Sequence, residues 1–156
     1  MHVSPAAAVP LVRSMRDALN RMRRVETVLC PAFPALVTVA DLLRPSRIAV
    51  GAQNCHWDDK RAHTGEVSVG MLDGNCRYVI VGHSERRGRF GVPEPDMTDD
   101  LIRVFGDTDE SVNTKAKAAL ANDLTPIICV GETLAEREKN LADAIIRDQV
   151  LAALQG

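Results

Sequence analysis

No segment of this chain is strongly basic, which removes the electrostatic footprint that a nucleic-acid-binding protein needs. Its 19 Lys and Arg are opposed by 21 Asp and Glu, for a net charge of -2. The four cysteines, Cys30, Cys55, Cys76 and Cys129, form no CxxC pair. A zinc site built from Cys55, His56 and Cys76 would lack the paired ligands that structural zinc favours, so no metal is expected. No signal peptide or long apolar span opens the chain, and the expectation is a cytoplasmic, reduced protein that does not enter a membrane. No internal repeat is visible, which argues against a solenoid. With 156 residues there is room for one domain with a core. A closed eight-stranded α/β barrel usually takes about 250 residues.

What is present is an alternation of apolar runs and helical patterns. Ser4 to about Arg23 reads as a helix, with Ser4 as N-cap and Pro5 at the first helical position. Pro10 falls later than a first turn tolerates, so its start is expected to be kinked or shifted. Arg13, Arg16, Arg21, Arg23 and Arg24 fit that helix's solvated face and C-terminal turn. Strands are expected at 26–30, 47–52, 77–81 and 125–130. Between them, helical spacing covers Leu36–Leu43, a short piece at Val67–Leu72, and an Ala-rich stretch, Thr108–Ala121. Thr133 with Glu136 three residues on forms a capping box, which predicts one long helix over Thr133–Leu154. Strand–helix alternation of this kind requires parallel strands with right-handed crossovers and helices outside.

The most informative stretch is Tyr78-Val79-Ile80-Val81-Gly82-His83-Ser84-Glu85-Arg86-Arg87. An apolar run that stops at Gly reads as a buried parallel strand reaching the end of its sheet. Polar residues just past that end sit where open α/β sheets and barrels place their chemistry. Ser84 can start a helical turn whose free N–H groups point at the His83 imidazole, which describes a His held as a hydrogen-bond donor.

These residues resemble the signature of the triosephosphate isomerase family, and other motifs follow in the family's order. Val28-Leu29-Cys30-Pro31-Ala32-Phe33 resembles the second barrel strand, and Val50-Gly51-Ala52-Gln53-Asn54 the third. Thr64-Gly65-Glu66-Val67-Ser68 resembles the dimer loop, and Ile128-Cys129-Val130-Gly131-Glu132-Thr133 the fifth strand. The resemblance implies an α/β fold: a partial TIM (β/α)8 barrel, four parallel strands with outer helices, in a single domain over 1–156. It implies interconversion of dihydroxyacetone phosphate and glyceraldehyde 3-phosphate, with no cofactor. By resemblance His83 is the electrophilic catalyst, Glu85 the carboxylate on the same turn and Ser84 its supporting residue. Gln53 and Asn54 resemble active-site and interface supports. Thr64 and Glu66 resemble the tip that a second copy receives, giving a homodimer through the 55–66 loop. Arg86 resembles the basic residue that pairs with the carboxylate at Glu66.

Two parts of the family's machinery find no match. Met1-His2 resembles the residues immediately after the family's Asn-x-Lys, and Leu154-Gln155-Gly156 the close of the helix before the strand that carries the general-base Glu. Lys60, Lys115, Lys117 and Lys139 lie in loop or helix contexts and do not replace the phosphate-binding Lys. Glu132 follows a strand, but the family has a carboxylate there in addition to its base. A further departure, Gly91–Gly106, reads as an insertion in a βα connection where a handful of residues is usual. The expectation is the central portion of an isomerase, weakly active or inactive by itself. The alternative is a non-catalytic half-barrel that binds a partner or self-assembles through its open sheet edges.

Overall fold

Four short β-forming runs pair in chain order into one sheet. In the computed structural model, which describes residues 3–87 and 106–156, these are β1 (Val28–Leu29), β2 (Ala49–Ala52), β3 (Tyr78–Val81) and β4 (Thr125–Ile128), in the order β1-β2-β3-β4. Val28 lies opposite Ala49 and Gly51 opposite Tyr78, both in parallel pairs. Between β3 and β4 the Thr125 N–H donates to the Arg77 carbonyl at 2.9 Å and the Cys129 N–H to the Val81 carbonyl at 3.0 Å. Donor and acceptor numbers rise together, which only parallel strands allow. The expected order and direction are therefore found. The strands are shorter than predicted, and beyond the end of β1 it is the Gln53 side chain, through Nε2, that donates to the Cys30 carbonyl at 2.9 Å. In this register the odd-numbered residues of β4 donate toward β3, so Pro126, which has no N–H, interrupts only the outer row.

Helix α1 (Pro5–Asn20) begins where the sequence places it, with the Ser4 hydroxyl accepting from the Ala7 N–H. Pro10 lies inside the helix and does not shift its start. Pro10 and Ala6 are both exposed, so the carbonyl that loses its partner faces water. Helix α2 (Phe33–Leu43) starts three residues earlier than predicted. Pro34 belongs to its first turn, where a missing N–H costs nothing. Ala35, Leu36, Val39, Ala40 and Leu43 form its buried stripe. Val67–Leu72 yields only a single 3-10 turn, Gly70–Leu72. Helix α3 (Asp109–Ala121) follows Thr108, whose hydroxyl accepts from the Ser111 N–H.

The long helix predicted over Thr133–Leu154 is in fact two, α4 (Leu134–Glu138) and α5 (Ala142–Ala153). The capping box at Thr133 and Glu136 is present. Asn140 adopts a left-handed φ of 58°, which closes α4. Asn tolerates that conformation better than most residues, and the capping signal at the start says nothing about such a stop.

The chain divides into two compact units, Met1–Ile80 with Ala118–Ile127, and Val81–Lys117 with Ile128–Gly156. The first holds most of the sheet with α1 and α2; Val39, Leu43, Val79, Leu72 and Val69 are its most deeply buried side chains. In the second, Val81 and Val112 are fully buried. The 91–106 insertion lies outside the described residues except for Gly106. Among the described residues no helix is long and apolar enough to cross a membrane, and no three His, Cys, Asp or Glu side chains gather as a metal site requires.

Candidate active site

The backbone turns sharply where β3 ends. Gly82 has a φ of +69°, and a Cβ there would lie 2.7 Å from Val112 Cγ2 and 2.8 Å from Arg87 Nη2. Only glycine fits both the conformation and the space. The chain then forms a helical turn, with the Arg86 and Arg87 N–H groups donating to the His83 carbonyl at 2.8 and 3.1 Å.

This turn selects the tautomer of the neutral imidazole. The Glu85 backbone N–H donates to His83 Nδ1 at 3.3 Å. A ring nitrogen that accepts cannot carry the proton, so in the neutral ring the proton sits on Nε2. The Glu85 carboxylate lies 3.6 Å from the same nitrogen, beyond hydrogen-bonding distance, and is 71% exposed. The hydrogen bond that Glu85 gives to His83 thus comes from its backbone. His83 and Ser84 line a depression of about 230 Å³ together with Gly82, Arg87 and the segment Cys129–Glu132.

Arg87, which sequence reasoning passed over, is the buried tie beneath this turn. Its Nε donates to the Gly82 carbonyl at 2.7 Å, one Nη donates to Asp109 in a short ion pair, and the other to the Cys129 carbonyl at 3.4 Å. One guanidinium therefore joins the residue before His83, the residue after β4 and the first turn of α3. Its fork of donors suits this task, which a point-charge ammonium would not perform.

Arg86 pairs with Asp107 at 3.2 Å, and Lys115 Nζ reaches the other Asp107 oxygen at 2.6 Å. Asp107 and Lys115 are almost fully buried. The segment after β4 is fixed by Gln149, also buried, whose amide accepts from the Gly131 N–H at 2.8 Å and donates to the Gly131 carbonyl at 3.1 Å. Beside it, Glu132 receives both Nε and Nη2 of Arg137, at 2.7 and 2.6 Å. Its own backbone N–H, and then Arg137, hold this carboxyl below the usual range. Burial raises the Cys129 thiol, partly offset by Arg87.

The remaining predicted residues lie in the first unit. Gln53 caps the Cys30 carbonyl, and Asn54 is buried next to it. Thr64 and Glu66 are exposed on either side of Gly65, whose φ is +89°. The loop beneath them is well tied. Asp58 accepts from the Lys60 N–H at 2.8 Å and Asp59 from the Gly70 N–H at 2.9 Å, while the His56 ring stacks on Trp57 at 4.3 Å and meets His63 at 4.0 Å. His83, Ser84 and Glu85 are thus brought together in one unit, and Gln53 and Asn54 in the other.

Comparison with known proteins bears on the whole length. The family model described as triosephosphate isomerase matches residues 1–156. A relative from Carboxydothermus hydrogenoformans named triosephosphate isomerase is 45% identical over 157 residues, covering 100% of this chain and 57% of its own length. Another, from Rhizobium etli and named L-erythrulose-1-phosphate isomerase, is 45% identical over 152 residues, covering 96% of this chain and 51% of its own. The crystal structure of the triosephosphate isomerase from Bartonella henselae superposes with a TM-score of 0.81 at 30% identity, over 99% of this chain and 58% of that one. The chain thus spans a little over half the length of the relatives it matches.

Proposed function

The chain belongs to the triosephosphate isomerase family, and from that premise we propose that it supplies the electrophilic half of an aldose–ketose isomerase site acting on triose phosphates. The observation that carries this is the Glu85 N–H on His83 Nδ1, which leaves Nε2–H as the donor in the depression beside β3 and β4. In such a reaction a proton leaves the carbon next to the carbonyl, and negative charge collects on the oxygen. His83 Nε2–H would donate to that oxygen as the charge develops. Donors fixed before the reaction stabilise charge without reorganisation, and removing one typically costs about 10²–10³ in kcat.

The proposal gives this chain the electrophile and not the base. Glu132, the carboxylate nearest the depression, is held by Arg137 and kept below the usual range. A general base works best with a pKa raised toward the working pH, so Glu132 is mismatched to that role. Ser84 lines the same depression and supports the turn. We read the exposed Thr64–Glu66 tip, stiffened by Asp58 and Asp59 below it, as the surface that a second copy of the chain receives. On the family resemblance, Arg86, Gln53 and Asn54 are supports of such an interface and of the active site, in a cytoplasmic homodimer.

The test is a chimera in which this chain replaces the matching residues of the Carboxydothermus hydrogenoformans relative. It is assayed with dihydroxyacetone phosphate and, in parallel, with L-erythrulose 1-phosphate, the substrate in the name of the Rhizobium etli relative. Turnover is expected with at least one of them. His83→Ala is expected to lower kcat about 10²–10³-fold with the fold unchanged. Turnover indifferent to His83 would remove the proposal.

A further inference from the structure

Three separate stretches of chain bring four arginines to one depression at the N-terminal ends of β1, β2 and β3. Arg23 and Arg24 come from the segment between α1 and β1, Arg47 from the residues before β2, and Arg77 from the residue before β3. The depression holds about 530 Å³. Small-molecule sites typically run about 300–1,000 Å³. Every lining residue precedes a strand, whereas the His83 turn follows one, so this depression is no part of the site described above.

Charge sets it apart. Glu26 is the only carboxylate lining it among the described residues, and that group is already engaged with Arg77 Nη1 at 2.9 Å. Among the described residues no ion pair holds Arg23, Arg24 or Arg47. Four guanidinium groups against one carboxylate leave a local charge of +3 in a chain whose net charge is -2. Like charges drawn together by the fold repel one another, and an anion between them reverses that cost. The wall is set from below, since the Arg47 N–H is anchored by Asn20 Oδ1 at 2.8 Å, at the end of α1.

We propose that this depression binds a small anion carrying a chain of phosphate groups. Guanidinium forks match phosphate oxygens two at a time, and several forks at one depression favour a ligand with several adjacent phosphates over a single one. The lining is chiefly polar, so recognition rests on the phosphate chain and not on an attached apolar group.

Isothermal titration calorimetry of the 156-residue chain at fixed ionic strength tests this, with sodium tripolyphosphate, orthophosphate and ATP as titrants. Tripolyphosphate is expected to bind about tenfold or more tighter than orthophosphate, because it engages more than one fork. ATP is expected within about threefold of tripolyphosphate if only the phosphate chain meets the arginines. Arg24→Ala with Arg47→Ala should weaken tripolyphosphate about tenfold or more, and Arg47→Lys, which keeps the charge and loses the fork, should weaken it measurably. Arg13→Ala, an exposed arginine of α1 outside the depression, should leave it unchanged. No measurable heat, equal affinity for orthophosphate, a far tighter ATP complex, or equal weakening by Arg13→Ala would each overturn the proposal.

Discussion

Arg87 donates from Nε to the carbonyl oxygen of Gly82 at 2.7 Å, from a side chain that is almost wholly buried. The residue with left-handed geometry before His83 is thus held by a cation four residues beyond His83 in the chain. Gly82→Ala would add a left-handed penalty of about 1–2 kcal/mol, and its methyl would press on Val112 and on Arg87 itself. Overpacking typically adds about 1–3 kcal/mol more. The expected loss is about 2–5 kcal/mol in denaturant unfolding, with the Arg87 contacts displaced. A loss under about 0.5 kcal/mol would mean the turn relaxes freely.

Asp107 bridges Arg86 and the buried Lys115. Asp107→Ala leaves an ammonium in the interior without its nearest counter-charge, and is expected to cost about 3 kcal/mol or more. The double change Asp107→Ala with Lys115→Met removes the buried ammonium as well and should recover most of that loss. A double variant as unstable as the single one would show that packing, and not charge, sets the cost.

The thiols give a prediction for alkaline pH. Burial, and secondarily Cys30, push Cys76 up to about 11, and burial raises Cys30 and Cys129 as well. A thiol raised in the folded state binds its proton more tightly there than in the unfolded chain. Its stabilisation is complete below the ordinary value of 9.0 and is lost as pH climbs toward 11. Tm should therefore fall over pH 9–11, and fall less in a Cys76→Ala variant compared with its own value at pH 8. At pH 8, Cys76 should react with a disulfide reagent about a hundredfold more slowly than an unshifted thiol.

Glu132 sets an expectation for the 156-residue chain by itself. A carboxylate lowered by its own backbone N–H and by Arg137 is a weak proton acceptor. A coupled assay on the purified chain should give turnover no higher than its His83→Ala variant. If turnover exceeds that control, Glu132→Gln shows whether this carboxylate is responsible. Specific activity that falls on dilution would point instead to assembly of several chains.

The parallel sheet was legible because each strand is a short apolar run that ends at a turn-forming residue, and β–α alternation leaves few ways to connect them. The His83 turn was legible because glycine, an imidazole and a capping Ser are adjacent in the chain. Arg87 was not. Whether the second of two adjacent arginines is buried depends on Asp109 and on the carbonyls of Gly82 and Cys129, which only the fold brings near. The break at Asn140 escaped for a different reason. A helical pattern continues on both sides of it, and one residue in the left-handed region leaves that spacing almost undisturbed. Arg23 and Arg24 were read as a helix's solvated end. Their meeting with Arg47 and Arg77 depends on strand register, which local sequence does not encode.

Pro126 has a consequence for the two sides of β4. β4 is the last strand in the sheet order of the described residues. The segment Thr125-Pro126-Ile127-Ile128 is β-prone apart from its proline. Proline removes one donor from the outward row while the inward bonds, from Thr125 and Cys129, remain in place. A single imino acid thus leaves the β3–β4 ladder intact while removing one donor from the other side of β4.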